Sequence, residues 1–254
     1  YYVPGNISSQ FISGLLFALP LAKDQGESTI HVTPPLESAP YIDLTLDALN
    51  KYGVTVSRPD KYTFVIPSGQ RYQPYSGDVE GDWSNAAFFI ALKCLGFDVC
   101  VSGLNQNSLQ GDRVCSDMME NLTHSHAVIS VSECPDIAPI LMTVGALCHG
   151  VTLTDTSRLK IKESDRGEAM AQELYKLGVE CEVYENKIVV PKCALHAPNE
   201  VIDGHNDHRV VMAMATALLF LGGEITGAEA VRKSLPDYFE IIKSLGGEVE
   251  EIEA

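Results

Sequence analysis

Charged side chains are densest in Arg158-Leu159-Lys160-Ile161-Lys162-Glu163-Ser164-Asp165-Arg166, where both signs mix over nine positions. Such a block has two readings. It is the solvated start of a helix, capped by Ser164 or Asp165, or it is a site for an anion. Arg158, Lys162 and Arg166 stand four apart, so a helical conformation would set them on one face. Glu163 would then be a carboxylate held among cations, the setting that proton transfer uses.

Other chemistry-bearing residues stand where apolar helices are expected to begin. Asp136, in Glu133-Cys134-Pro135-Asp136, is either a helix cap or a second reactive carboxylate. Arg209, in Asp207-His208-Arg209, runs straight into Val210-Val211-Met212-Ala213-Met214, and a guanidinium beside a buried helix needs an anion. Ser8-Ser9-Gln10 places two hydroxyls and an amide before another apolar run. Lys233 lies in the loop before the last helix and by itself reads as a surface lysine. Taken together, Arg166, Arg209 and Lys233 are three cations suited to clamp carboxylate or phosphate. Asp136 and Glu163 are two carboxylates for base and acid roles. The set describes a pocket for a small, multiply anionic substrate.

The elements that position these residues recur along the chain. Asn6, Asp82, Asp136 and Asp207 each stand at the start of an apolar helix, expected to be buried all round. A short strand is expected before each: Tyr1–Val3, Ser76–Glu80, Val128–Val131 and Glu200–Ile202. β-Branched strands follow, at Ser28–Val32, Asp98–Val101 and Val151–Thr154. Amphipathic helices come next, at Ile42–Tyr52, Arg113–Leu122, Arg166–Leu177 and Tyr238–Leu245. Hairpins close two units, Val54–Ser57 with Thr63–Ile66 and Val179–Val183 with Lys187–Val190. The pattern is a βαβαββ unit used four times, an α/β architecture. The second unit is short by roughly twenty residues, which predicts a hairpin missing near 122–124.

Composition narrows the function further. The 254 residues carry a net charge of −16, which argues against nucleic acid and anionic membranes as partners. The longest apolar run, Val210 to Leu221, is too short to cross a bilayer. Seven scattered cysteines without CxxC spacing read as reduced thiols of a cytoplasmic protein. No signal-peptide pattern opens the sequence. His205 and His208 lack a second ligand pair, so no metal site is expected. Neither GxGxxG nor GxxxxGK[ST] occurs, which leaves nicotinamide and ATP without support.

Several stretches resemble the 5-enolpyruvylshikimate-3-phosphate (EPSP) synthase family. They are Gly5–Ser13, Ser38-Ala39-Pro40-Tyr41-Ile42-Asp43, Gly103–Asp112, Cys134-Pro135-Asp136, Arg158–Arg166, Asp207–Ala213 and Ser234-Leu235-Pro236-Asp237-Tyr238-Phe239, in family order. The resemblance implies six βαβαββ units in two domains, an inside-out α/β barrel, of which this chain looks like the last four. Residues 1–78 would belong to the domain binding shikimate 3-phosphate and 79–254 to the second domain. The family's opening Gly-Ser-Lys-Ser and Asn-x-Gly-Thr motifs are absent. The implied reaction joins phosphoenolpyruvate to the 5-hydroxyl of shikimate 3-phosphate, releases phosphate, and needs no metal or organic cofactor.

Carried over by resemblance, Ser8, Ser9, Gln10, Ser38, Tyr41, Asp136, Arg158 and Lys162 line the shikimate-phosphate side. Gln10, Arg166, Arg209 and Lys233 hold phosphoenolpyruvate. Asp136 takes the hydroxyl proton, Glu163 protonates the methylene carbon, and Lys162 shares in proton transfer. A monomer is the default expectation. Two rival readings are the sister enolpyruvyl transferase acting on UDP-N-acetylglucosamine and an inactive anion-binding fragment that needs a complementary chain.

Overall fold

The computed structural model describes residues 1–23 and 26–252. They form two compact units, Tyr1–Glu80 with Asn105–Gly111, and Gly81–Leu104 with Asp112 onward.

The first unit runs β1 (Tyr2–Pro4), α1 (Ser9–Ala18), β2 (Glu27–Thr33), α2 (Ala39–Lys51), β3 (Ser57–Asp60) and β4 (Thr63–Pro67). Its sheet order is β1-β2-β4-β3, with β1 parallel to β2 and the remaining pairs antiparallel. Period-two alternation puts Ile30 and Val32 of β2, and Phe64 and Ile66 of β4, on the buried face. Ile12 and Leu16 of α1, and Ile42 and Leu49 of α2, complete that core. The turn from β1 into α1 needs glycine at position 5, because a Cβ there would lie 2.5 Å from the Pro35 carbonyl oxygen.

The second unit begins with α3 (Trp83–Cys94) and α4 (Cys115–His124). It continues with β5 (Ala127–Ser130), α5 (Ala138–Leu147), β6 (Val151–Thr154), α6 (Arg166–Tyr175), β7 (Glu182–Val183) and β8 (Lys187–Val190). β9 (Ile202–Asp203), α7 (His208–Leu221), β10 (Ile225–Thr226) and α8 (Tyr238–Ser244) close it. The sheet β5-β6-β8-β7 repeats the order and strand senses of the first unit's sheet. βαβαββ is therefore present twice in full. β9 and β10 pair in parallel around α7 as a shorter copy. α3, α5 and α7 pack on one another and are buried on nearly every side.

In the chain between the sheets, α4 runs unbroken through 122–124 and β5 follows at Ala127. Three expectations need correction. Ser76–Glu80 and Asp98–Val101 join no ladder among the described residues, and Val79 is 97% exposed. α1 is not buried all round: Phe11 is 61% exposed, because α2 and the sheet cover only its Ile12–Leu16 side. Arg158, Lys162 and Arg166 do not share a helix face. A tight 3-10 turn covers Ser157–Ile161, Lys162 is extended, and α6 starts afresh at Arg166 behind its cap Asp165.

Candidate active site

The start of α6 brings the charged stretch against two other helix starts. Asp165 caps α6 by accepting from the Glu168 N–H, which leaves Arg166 in the first turn and turned inward, 1% exposed. Its guanidinium meets three carboxylates. Nε donates to Asp207 Oδ2 at 2.8 Å, Nη1 to Asp136 Oδ1 at 2.8 Å, and Nη2 to Glu163 Oε2 at 2.6 Å. Five rigid N–H donors in one plane suit arginine to such a hub, where lysine would act as a point charge. Lys162 Nζ lies 3.1 Å from the same Asp136 oxygen.

Asp136 is not a helix cap. It lies in a 3-10 turn, Pro135–Ile137, and α5 begins behind it without a side-chain cap. That frees its carboxylate for the cations. Burial works against its charge, yet Lys162, Arg166 and Arg209 outweigh that and hold it well below the usual carboxylate range. Asp207 does cap α7, accepting from the Arg209 N–H, while also receiving Arg166 and the Ser164 hydroxyl. Burial opposes its charge too, and Arg166 again prevails, so its carboxyl titrates low. His208, buried beside Arg209, is pushed down chiefly by burial and then by that cation.

Arg209 reaches across to the start of α3. Its Nη1 donates to Asn85 Oδ1 at 3.1 Å and its Nη2 to Ser84 Oγ at 2.7 Å. Ser84 in turn donates to the cap Asp82, and Ser234 donates to Asn85. Arg209 Nη2 is 3.9 Å from Asp136 Oδ2. The buried Nε of Arg209 has no hydrogen-bond partner among the described residues. A desolvated guanidinium N–H is costly to leave unmet, so this atom marks a place for an acceptor. Lys233 Nζ is exposed and donates to both the carbonyl and the side-chain oxygen of Asn206, beside the α7 start.

Five expected residues thus gather around one point: Asp136, Lys162, Glu163, Arg166 and Arg209. Lys233 lies at the rim of the same helix start. Arg158 is buried in the preceding turn. Ser8, Ser9, Gln10, Ser38 and Tyr41 belong to the other compact unit. There the starts of α1 and α2 come together, Glu37 N–H donating to the Gly5 carbonyl and Ser8 capping α1 through the Gln10 N–H. Asp207, Ser84 and Asn85 were missed as site residues. The signal was the repeat itself, since each stands at a helix start equivalent to that of Asp136. Among the described residues no cluster of His, Cys, Asp and Glu is arranged to hold a metal ion, and no helix is long and apolar enough to cross a membrane.

The EPSP synthase (3-phosphoshikimate 1-carboxyvinyltransferase) family profile matches residues 2–242. The 3-phosphoshikimate 1-carboxyvinyltransferase of Clostridium acetobutylicum is 40% identical over 99% of this chain and 62% of its own length. That of Clostridium kluyveri is 37% identical, over 99% and 63%. An EPSP synthase structure from Acinetobacter baumannii superposes with a TM-score of 0.67 at 22% identity, covering 98% of this chain and 63% of that one. The chain spans about three-fifths of the length of the relatives it matches. Profile, relatives and fold agree: this chain belongs to the EPSP synthase family.

Proposed function

We propose that the charged centre of the second unit is the proton-transfer and anion-binding half of an EPSP synthase site. The reaction would transfer the enolpyruvyl group of phosphoenolpyruvate to the 5-hydroxyl of shikimate 3-phosphate with release of phosphate. The observation that carries this reading is Arg166, which binds Asp136 and Glu163 through neighbouring nitrogens and so holds two carboxylates on either side of one cation. Asp136 accepts the hydroxyl proton as the C–O bond forms at C2, and Glu163 delivers a proton to the methylene carbon. Collapse of the tetrahedral adduct returns the methyl proton to Glu163 and expels phosphate, which leaves with the proton held by Asp136. Cations fixed in advance would supply much of the rate enhancement. Asp136 is too weak a base while three cations face it. Entry of an anionic substrate draws those cations away and raises its basicity.

Arg209 supports the substrate assignment, because its unmet Nε offers a donor to a carboxylate or phosphate. Arg166 and Lys233 complete the phosphoenolpyruvate side. Lys162 and Arg158, with Ser8, Ser9, Gln10, Ser38 and Tyr41 from the first unit, serve shikimate 3-phosphate. Two full βαβαββ copies and two partial ones support four of six units in an inside-out α/β barrel, with 1–78 and 79–254 as the two domains. The enzyme would be a cytoplasmic monomer without a cofactor.

A second reading has its own observation. Phe11 and Phe17 of α1 are exposed, whereas α3, α5 and α7, the equivalent helices of the other unit, are covered by one another. An uncovered apolar helix favours a fragment that binds anions and gains activity only with a complementary chain. A phosphate-release assay with both substrates tests both readings, run on this chain alone and with the N-terminal part of the Clostridium acetobutylicum relative. Release only on mixing establishes the second reading. No release in either case, or release with UDP-N-acetylglucosamine instead, overturns the assignment.

A further inference from the structure

The loop that enters α7 is held from two sides by side chains with no part in the proton transfers. His205 and Asn206 both take left-handed backbone conformations, φ 49° and 50°, which side chains other than glycine adopt at a cost. Gly204 before them has no room for a side chain: a Cβ would sit 2.6 Å from Val211 Cγ2 and 2.7 Å from the Thr226 carbonyl oxygen. Something must stabilise this strained path. On one side it is Glu173 of α6, 2% exposed. Its Oε2 accepts from the Asp203 N–H at 2.8 Å and from Lys176 Nζ at 2.7 Å, and its Oε1 accepts from His205 Nε2 at 2.9 Å. A carboxylate only accepts, so Nε2 carries the proton in this contact. On the other side Lys233 Nζ binds the carbonyl and side chain of Asn206.

What this clamp holds is Asp207, whose N–H donates to the Gly204 carbonyl. Asp207 grips Arg166 through one oxygen and the Arg209 N–H through the other. A shift of the loop therefore moves both arginines of the anion site. We propose that Glu173 and His205 are positioning residues that set the orientation of Asp207 and, through it, of Arg166 and Arg209 toward the substrate anion. This inference rests on the assignment of those arginines to phosphoenolpyruvate.

The chain carries its own reporter. Its single tryptophan, Trp83, heads α3 beside Ser84 and Asn85, which hold Arg209. Phosphoenolpyruvate and inorganic phosphate are titrated against Trp83 fluorescence in the full chain and in Glu173→Gln, His205→Ala and His205→Gln. Amide hydrogen exchange of residues 203–209 is measured without ligand.

Glu173→Gln is expected to speed exchange in that loop and to weaken phosphoenolpyruvate binding roughly tenfold, the scale of a small misplacement of binding groups. His205→Ala should weaken it about threefold, whereas His205→Gln, whose amide still donates to Glu173, stays within about twofold. Faster exchange with wild-type affinity would show a tie that supports the fold alone and would overturn the proposal. So would equal affinities for the two His205 variants, and that pair decides the matter if Glu173→Gln fails to fold. A wild-type chain with no response to either anion would instead overturn the substrate assignment, while the exchange data still judge the clamp.

Discussion

Arg166 Nε lies 2.8 Å from Asp207 Oδ2, with both side chains sealed from solvent. Around this pair the centre is balanced: Lys162, Arg166 and Arg209 face Asp136, Glu163 and Asp207. A buried pair of this kind contributes little net stability over an apolar substitute, but breaking it leaves an uncompensated charge. Removing Arg166 leaves three carboxylates against two cations, with the buried Asp207 stripped of its guanidinium partner. Arg166→Ala is expected to lose about 3–5 kcal/mol of stability to urea unfolding. Asp207→Asn, which keeps a capping oxygen, should lose less. Equal stability of Arg166→Ala and wild type would refute the hub.

The proposed proton-transfer roles give a different pattern. In the chain mixed with the N-terminal part of the Clostridium acetobutylicum relative, Glu163→Gln and Asp136→Ala are expected to abolish phosphate release. Glu163 is 39% exposed, so its replacement should shift stability by no more than about 0.5 kcal/mol. Rapid-quench measurement separates chemistry from product release. Near-normal turnover in either variant would remove that residue from the reaction.

How much of this was legible beforehand follows from which constraints are local. Helix caps are local, so Asp82 and Asp207 were readable as helix starts and cap them, and of the two candidates Ser164 and Asp165 it is Asp165 that caps α6. The β6 strand, Val151–Thr154, also has the expected bounds, because Gly150 and the β-branched run mark it. Asp136 was ambiguous by itself, since only tertiary packing brings Lys162 and Arg166 to it. The four-residue spacing of Arg158, Lys162 and Arg166 misled, because a spacing implies a shared face only if the segment is one helix, and Lys162 breaks it. The clamp by Glu173 was not legible at all. In the sequence Glu173 is one more acidic residue on an amphipathic helix, and its partners lie about thirty positions away.

Ion pairing links anion binding to protons. Arg166 uses Nη2 to hold Glu163, and an incoming carboxylate that takes Nη2 must displace it. On the proposed assignment, the displaced Glu163 must carry a proton before it can deliver one to the methylene carbon. Phosphoenolpyruvate binding is therefore expected to take up protons. Calorimetric titration at pH 6 to 7 in buffers of different ionisation enthalpy should show a buffer-dependent heat in wild type and a smaller one in Glu163→Gln. The same buffer dependence in both would place the proton elsewhere.

Stability should fall on acidification in two stages. His208 has a lowered folded-state pKa, so between that value and its unfolded value near 6.5 the unfolded chain binds the extra proton. The melting temperature is expected to be level above about pH 7 and to decline below about pH 6.5. Asp136 and Asp207 are also lowered, so their stabilisation is complete above the unfolded carboxylate value near 4 and is lost as pH falls toward their folded values. His208→Asn should remove the first stage and leave the second. A first decline that persists in that variant would assign it to another group.

The exposed face of α1 makes the last prediction. Phe11 and Phe17 are on the surface, so replacing both with lysine removes no core packing and should change stability by about 0.5 kcal/mol or less. If that face meets a complementary chain, the charges must be desolvated there and binding fails. The double variant Phe11→Lys, Phe17→Lys is therefore expected to stay folded and to give no phosphate release when mixed with the N-terminal part of the Clostridium acetobutylicum relative. Anion binding followed by Trp83 should persist, because the arginines belong to the other compact unit. Full complementation by this variant would show that the partner contacts another surface.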